Sequence, residues 1–402
     1  MMDQYHVREM PNEEIMPHMP FLDAILENYD KRAWPTHGTP KSTIVDVHID
    51  IHSMGPLDTS EMSYALDLHL HQAWYDPRLN LQKFGINETL TLRGDLIMPD
   101  IWKPDLFFAN AKKASVPQVT VPNQLVKIAP DGRVSYSMRI TLSLACLMNF
   151  RRFPLDKQAC PMVLRPYAQR IDQTKLSWGR YEGLALEFPI EMEEYEYVDY
   201  VKGEYLDFRS TGTFSCLNAT FLFDRRIHYH LLQTYFPTCL AVFISWVGFW
   251  IRLELPQIRV ALGAMTLFTV TSVASGIRST VPPVAYAKVV DVWITGCIII
   301  IFAEISETVL ANYLIRVRLR PYIMRKMDFG VANLFHHWRY GYPTDDFLLK
   351  MDPTEKLELH RNYKRAEALD RTSRYIFPLS FAFFNLIYWI LYSHEDYVIE
   401  FP

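Results

Sequence analysis

The sequence lacks the patterns that mark most enzymes and nucleic-acid-binding proteins. It contains no nucleophile beside a base in a catalytic motif, no spacing typical of metal ligands and no glycine-rich phosphate loop. The 402 residues carry a formal net charge of only -4, and no basic tract with interleaved aromatic residues occurs. We therefore expect no enzymatic activity, no cofactor, no metal site and no nucleic-acid partner.

Cysteine is scarce, and its odd number leaves at least one thiol unpaired. The chain has five cysteines. Cys239 and Cys297 lie within apolar runs, where a free thiol behaves as a small hydrophobic side chain.

Hydrophobic residues make up 50% of the chain but are unevenly distributed. Up to about Arg226, apolar and polar residues alternate between turn residues, as antiparallel strands do. Many short strands without intervening helices favour a β-sandwich, preceded here by a short amphipathic helix at Phe21–Tyr29. The predicted strands are Thr43–Ile51, Tyr64–Trp74, Asp100–Ala109, Leu125–Ile128, Arg133–Ala145, Ala159–Leu164 and Leu217–Phe223.

Four apolar segments after Arg226 are long enough to cross a membrane. At a helical rise of about 1.5 Å per residue, each spans a hydrocarbon core of roughly 30 Å and would contact membrane lipids. A charged amphipathic helix at Pro353–Asp370 is predicted to lead into the last segment. The predicted spans are Leu231–Ile251, Val260–Ser279, Val289–Ile315 and Tyr375–Tyr392.

The loop after the third span is rich in basic residues, which predicts a cytoplasmic loop and extracellular termini at the plasma membrane. Sequons at Asn87 and Asn218 fit an extracellular first half and are predicted glycosylation sites, although such tripeptides often occur by chance. A secreted half needs a leader, and no apolar segment follows Met1, so we interpret this sequence as the mature form. The basic residues are Arg316, Arg318, Arg320, Arg325 and Lys326.

The second span has one face whose residues recur every three or four positions. A pore wall is one interpretation, because its hydroxyl groups suit water contact and Met265 with Phe268 would form an apolar constriction. A small-residue face that packs against other helices is the alternative. The rest of the chain favours the pore wall. The face comprises Ala261, Met265, Phe268, Ser272, Ser275 and Ser279.

The segment from Cys146 to Cys160 contains Phe153-Pro154-Leu155-Asp156. It resembles the signature loop of the Cys-loop receptors, the pentameric ligand-gated ion channels. The resemblance implies a Cys146–Cys160 disulfide, and it leaves Cys216 free because Tyr205 stands where relatives have its partner.

The resemblance implies an α+β chain in two domains, with an extracellular immunoglobulin-like β-sandwich followed by a four-helix transmembrane bundle, assembled as a pentamer. Residues 1–227 would form the ligand-binding sandwich and 228–313 the first three membrane helices. Residues 314–372 would form the cytoplasmic loop, and 373–402 the fourth helix with an extracellular C-terminus.

The segment Pro256–Gly263 resembles the pore entry of the glycine, GABA and glutamate-gated chloride receptors, and Ile277–Tyr286 resembles their linker to the third helix. This likeness implies that Arg259 and Arg278 place positive charge at the two pore mouths and attract anions. The sequence departs from these receptors in two ways. One extra residue separates Pro256 from Arg259, and Met265 and Phe268 stand where these receptors have a Thr and a Leu.

In these receptors the agonist lies between adjacent subunits in an aromatic box, where ring faces attract an ammonium group. Ile101–Asn110 resembles the first binding loop and directs Phe107 toward the pocket. Tyr167 takes the second aromatic position, and Phe214 with Thr211 the third loop. Aromatic residues in strands more often belong to a core, but three at box positions favour the ligand site.

The neighbouring subunit would supply the other half of this pocket. His71 stands where relatives carry an Arg for the agonist carboxylate, His69 lies on the same face, and Ser137 matches their hydroxyl. Arg165 stands where glycine receptors carry a Glu that holds the amine. Glycine, GABA and glutamate are therefore predicted to bind poorly. The two histidines could titrate near neutral pH or simply face solvent.

Contact between the signature loop and the linker is predicted to couple the two domains. Arg225 stands where relatives form an ion pair, and its partner could be Asp156 or an acidic residue near Asp58 and Glu61. The predicted coupling residues are Phe153, Pro154, Asp156, Arg225, Pro282 and Pro283.

The leading hypothesis is a homopentameric ligand-gated channel of the plasma membrane that favours anions. It would respond to a small extracellular agonist of unknown identity, and a synapse is one expected location. The alternative is an accessory or non-conducting subunit that needs partner subunits. A membrane-anchored enzyme finds no support.

Overall fold

The computed structural model describes residues 20–179, 183–316 and 353–393. Along the chain a β-sandwich up to Arg225 is followed by a bundle of helices from His228. Helix α1 (Pro20–Glu27) precedes the sandwich, close to its predicted position. The basic residues predicted from Arg318 to Lys326 and the predicted extracellular C-terminus lie outside the described residues.

Two sheets form the sandwich. In the larger, the order is β10-β1-β2-β7-β6-β3, with β9 paired to β1 and β5 to β7; the smaller runs β11-β12-β8-β4. Short helical turns occupy Pro77–Leu79, Leu81–Phe84 and, as α2, Gly94–Ile97. The strands are β1 (Thr43–Asp58), β2 (Ser63–Tyr75), β3 (Leu90–Arg93), β4 (Leu106–Phe108), β5 (Ala111–Ser115), β6 (Gln124–Ile128), β7 (Arg133–Ala145), β8 (Lys157–Pro166), β9 (Thr174–Trp178), β10 (Leu184–Leu186), β11 (Tyr195–Arg209) and β12 (Gly212–Arg225).

Alternation along the strands decides which side chains enter the core. In β2, Leu66, Leu68 and Leu70 are buried between the sheets, while His69 and His71 point outward and are partly exposed. The polar outer faces of both sheets therefore carry the side chains available to a ligand.

The strand predictions missed β3, β5, β9, β10 and β11 and shortened several others. β11 lies at the edge of the smaller sheet and most of its residues are partly or fully exposed, so it lacks a clear apolar alternation. Only Leu106–Phe108 of the segment predicted at Asp100–Ala109 is a strand. β9 and β10 pair with β1 in parallel, which makes the larger sheet mixed rather than antiparallel throughout.

The predicted glycan at Asn218 is wrong. Asn218 is 2% exposed within β12, and its side chain fits against Gly203 of the neighbouring strand. Glycosylation needs an accessible amide nitrogen, and this side chain is covered. Asn87 is exposed and stays a predicted site.

Four helices among the described residues are long and apolar enough to cross a membrane: α3 (His228–Trp250), α4 (Pro256–Thr280), α5 (Val289–Arg316) and the span His360–Tyr392 within α6 (Pro353–Tyr392). The predicted amphipathic helix and fourth span are thus one continuous helix. Trp293 of α5 packs against Tyr235 of α3 and Tyr388 of α6, with ring centroids 5.0 and 5.1 Å away. These aromatic contacts join three of the helices.

Candidate functional site

The predicted disulfide between Cys146 and Cys160 is confirmed, and Cys216 is a free, buried thiol. Cys216 lies opposite Tyr205 in the β11–β12 ladder. Burial raises the pKa of the Cys216 thiol to about 11. The hairpin that carries the third predicted binding loop is therefore held by strand pairing and not by a second disulfide.

A buried ion pair lies where the sandwich meets the helices. Arg225 Nε and Nη2 donate to the Asp156 carboxylate over 2.7 and 3.2 Å, which identifies Asp156 as the partner. Arg225 also donates to the Tyr195 hydroxyl, and its guanidinium carbon lies 4.8 Å from the ring centroid of Phe153. The two charged side chains are 3% and 1% exposed, so solvent screens them little.

The signature loop contacts the start of α5. The Val289 and Val290 amides donate to the carbonyl oxygens of Arg151 and Phe153 over 2.9 and 3.1 Å. The Phe150 amide donates to the Tyr286 hydroxyl over 3.0 Å. Pro154, like Phe153, is buried; of the predicted linker prolines, Pro282 is half-buried and Pro283 exposed. The loop therefore reaches the chain just after these prolines.

The face predicted for α4 is open to the outside of the subunit along its whole length. Met265 and Phe268 are 67% and 68% exposed, and the other four members are exposed as well. The opposite side of the helix, including Thr266, Val270 and Ala274, is buried against the bundle. The described helices of the subunit thus leave these six side chains largely uncovered.

Arg259 does not belong to the open face, and its predicted position at the pore mouth is wrong. The side chain is buried: Nη1 donates to Asp370 Oδ1 of α6 over 2.7 Å, and Nε donates to the Ile251 carbonyl over 2.9 Å. Asp370 also accepts from Arg374 over 3.0 Å. Arg259 is turned toward α6 because Asp370 offers a carboxylate there. Arg278 is exposed, and its place at the other pore mouth stays a prediction.

The smaller sheet brings Phe107, Tyr167 and Arg165 together. Phe107 and Arg165 face each other across the β4–β8 ladder, and the Phe107 and Tyr167 rings meet edge to face at 5.6 Å. The Arg165 guanidinium lies 5.0 Å from the Phe107 ring centroid and donates to Asp207 over 3.2 Å. Arg165 is therefore not the free repelling charge expected from the sequence, because Asp207 balances it.

The third aromatic position differs from expectation. Phe214 is only 4% exposed, and the guanidinium of Arg209 lies 5.9 Å from its ring centroid. Arg209 shares Asp207 with Arg165, at 2.7 Å. The structure thus closes the Phe214 ring to a ligand, whereas Thr211, in the β11–β12 turn, is exposed.

His69, His71 and Ser137 lie on the outer face of the other sheet. His71 stands directly opposite Ser137 in the β2–β7 ladder. Both border a cavity of about 410 Å³, together with His48 and Lys127. Since the two predicted halves of the ligand site lie on different sheets, one subunit alone does not bring them together.

Sequence reasoning missed the acidic residues that organise both halves. Asp207 holds Arg165, and Asp50 accepts from both His48 and His71, over 2.8 and 2.9 Å. The alternation of His48, Asp50 and His52, the last just beyond the strand predicted at Thr43–Ile51, was a readable signal, because residues two apart share a face. Asp207 gave no such signal, since β11 itself was not predicted.

Two matches to known protein families agree with this geometry. Residues 19–228 match the family described as neurotransmitter-gated ion-channel ligand binding domain. Residues 234–340 match the neurotransmitter-gated ion-channel transmembrane region. The first match alone covers more than half of the chain, and the two meet where the sandwich gives way to α3.

Proposed function

The chain belongs to the neurotransmitter-gated ion-channel family, and from this premise we propose that it forms a homopentameric channel with its pore along α4. It is a multi-pass membrane protein and a subunit of a Cys-loop ligand-gated channel. The proposal places it in the plasma membrane, including synaptic membrane, with both termini outside the cell.

The exposed face of α4 is the observation that carries the pore assignment. A membrane helix that leaves serine side chains unpacked along one side needs water or another polar partner there. Five copies of Ser272, Ser275 and Ser279 around an axis supply a wet upper half. Five copies of Met265 and Phe268 supply an apolar ring that can gate by losing water.

Anion preference is supported by the two ends of α4 in different ways. Arg278 is exposed in the last turn. At the other end the helix begins at Pro256, its first turn has no acidic residue and no side chain caps it. The start of a helix carries partial positive charge, so this end favours anions although Arg259 is buried.

The agonist site is proposed to be poorly suited to glycine, GABA and glutamate. Arg165 already covers the Phe107 ring that would receive an ammonium group, and it is held there by Asp207. His71 cannot reproduce the bidentate grip of an Arg on a carboxylate. Each lost charge-assisted hydrogen bond costs about 1.5–3 kcal/mol. A larger amphiphilic ligand that contacts Phe107 and Tyr167 fits better.

An accessory subunit is the second candidate. The large side chains of Met265 and Phe268 on the open face favour it, because five of each would narrow a homomeric pore. In this case the chain would conduct only beside partner subunits with smaller residues at these positions.

Expression of this chain alone tests the proposal in two steps. The detergent-solubilised particle should have five times the 47.2 kDa subunit mass. A ligand screen on expressing cells should then find a compound that evokes current. Any other stoichiometry contradicts the homopentamer, and a pentamer that stays silent throughout the screen supports the accessory subunit.

A double substitution tests the proposal that the site is poorly suited to amino-acid agonists. Restoring both family positions, His71→Arg with Arg165→Glu, should move the pocket toward amino-acid agonists. The single variant Arg165→Glu is the control, because it frees Phe107 without supplying a carboxylate anchor. A saturable glycine, GABA or glutamate current at micromolar concentration in the unchanged protein would refute the assignment.

A further inference from the structure

Four histidines and two carboxylates form a continuous row on the outer face of the larger sheet. Asp50 lies between His48 and His71, whose Nε2 atoms are 2.8 and 2.9 Å from its oxygens. His52 Nε2 lies 2.9 Å from His69 Nδ1, while His52 Nδ1 contacts the carboxylate of Glu187. The rings of His69 and His71 are 6.0 Å apart, which joins the two halves of the row.

The row follows from strand alternation and register. In β1 the core side holds Val47, Ile49 and Ile51, so His48, Asp50 and His52 must share the outer side. The antiparallel register then sets His71 opposite His48, and His69 opposite Asp50. Neighbouring strands are close enough for these side chains to contact each other directly.

The hydrogen-bond geometry limits where protons can sit. A carboxylate only accepts, so the nitrogens facing Asp50 and Glu187 carry hydrogens. His52 Nε2 and His69 Nδ1 then share one hydrogen between them. This contact persists only while one of the two facing nitrogens carries no hydrogen. A further proton on His69 places two N–H groups face to face and breaks this contact.

Other charges around the row differ from one end to the other. Arg139 lies opposite His69 in the β2–β7 ladder and is paired with Asp67. Lys127 and Asp46 border the cavity next to His71. His48 Nδ1 is buried without a hydrogen-bond partner in the described part of the chain.

Burial and the neighbouring histidines act in the same direction. Burial is the main cause that lowers the pKa of His69, with His52 and His71 adding to it, while Glu187 opposes it. Burial also lowers the pKa of His71, against the effect of Asp50. The neutral forms of both rings are thus favoured at neutral pH.

We infer that Glu187, His52, His69, His71, Asp50 and His48 form one proton-binding site, in which the contacting side chains control proton binding at His69. Protons are the ligand of this site. His71 also faces the cavity beside Ser137, so proton binding adds positive charge to the proposed agonist-facing surface. This last consequence rests on the proposed function; proton binding itself does not.

Deuterium exchange at histidine C2, followed by mass spectrometry on the full-length detergent-solubilised chain, measures the titration of each histidine between pH 5 and 9 (about the range that brackets an ordinary histidine). Two substitutions should move the titration of His69 in opposite directions. His52→Gln removes a positive neighbour and should raise its midpoint, whereas Glu187→Gln removes a negative one and should lower it.

His37→Gln is the matched control, because His37 is exposed and packs on Trp34, away from the row. It should leave the His69 midpoint unchanged. Thermal midpoints at pH 7.5 identify any variant that has lost its fold. If one of His52→Gln and Glu187→Gln is unfolded, the other one tests the inference. An unmoved His69 midpoint in a folded His52→Gln or Glu187→Gln variant overturns the inference, whether or not the protein conducts.

Discussion

Two buried arginine–aspartate pairs stand at opposite ends of the helix bundle and hold the molecule together in different ways. Arg225 and Asp156 join the signature loop to the strand that leads into α3, with 2.7 Å between Nε and Oδ1. Arg259 and Asp370 join α4 to α6 at the same distance. All four side chains are at most 3% exposed.

The surroundings of the two arginines differ. Arg225 has Glu194 at 3.5 Å as a second acid, and the rings of Phe153 and Tyr195 cover it. Arg259 pairs with Asp370, which it shares with Arg374, and also donates to a backbone carbonyl. The buried Glu304 and Glu307 of α5 interact with Arg259 electrostatically but lie beyond ion-pair distance. After loss of its aspartate, Arg225 therefore keeps a second acid within ion-pair distance, whereas Arg259 keeps none in the described part of the chain.

Loss of Asp370 should have the largest effect. Asp370→Ala removes the ion pair of buried Arg259 and that of Arg374, so we expect the free energy of unfolding to fall by about 3–5 kcal/mol. The thermal midpoint of the solubilised protein measures it. Glu367→Ala is the control one turn away, since the Glu367–Arg371 pair is exposed and is worth about 0–1 kcal/mol. Equal losses in the two variants would remove the claim that Asp370 fixes Arg259.

Loss of Asp156 should be smaller, because Glu194 and Tyr195 remain near Arg225. We expect Asp156→Ala to lower the free energy of unfolding by an amount near the lower end of the same range, about 3–5 kcal/mol. Asp172→Ala, which breaks the exposed Arg170–Asp172 pair, is its control. A midpoint below that of Asp370→Ala would reverse the proposed ranking of the two pairs.

Acidification should destabilise the sandwich less than either aspartate substitution does. The folded protein lowers the pKa of His69 and His71 below the ordinary 6.5, so the unfolded chain binds more protons in this window. Stability therefore rises with pH toward 6.5 and is lost as pH falls through it. The thermal midpoint should drop between pH 7.5 and 5.5, and less so in a His69→Gln and His71→Gln double variant. Equal drops would contradict this contribution.

Cysteine labelling reports which thiols are free and involves no change in stability. Alkylation of the unfolded, unreduced chain should modify Cys216, Cys239 and Cys297 and leave Cys146 and Cys160 unmodified. Peptide mass mapping reads the result. An unlabelled Cys216 would mean a disulfide that the structure lacks among its described residues.

The two ion pairs also show how far the sequence could be read. The Arg225–Asp156 pair was foreseeable, because both residues lie in segments with a recognisable pattern. The Arg259–Asp370 pair was not, since its members are 111 residues apart and hydropathy placed Asp370 in a separate charged helix. Helical spacing likewise found the open face of α4, yet it could not show that Arg259 turns away from it.

In the two halves of the predicted agonist site, the sequence predicted which residues lie together better than it predicted what surrounds each side chain. Phe107, Tyr167 and Arg165 do lie together, but the carboxylate that governs Arg165 comes from β11, a strand without a clear apolar pattern. Phe214 was expected to be open and is covered. Pairing between strands far apart in sequence decides such contacts, and no local pattern encodes it.

The central claim, that the open face of α4 lines a pore, is tested most directly by a resting current. Phe268→Ser replaces an apolar ring residue with a hydroxyl that water can bond. Phe302→Ser is the matched control, because Phe302 is 62% exposed on α5 and lies off the proposed pore face. The account predicts a raised leak in cells expressing Phe268→Ser and none in cells expressing Phe302→Ser. Equal leaks, or a silent Phe268→Ser protein at the cell surface, would contradict it.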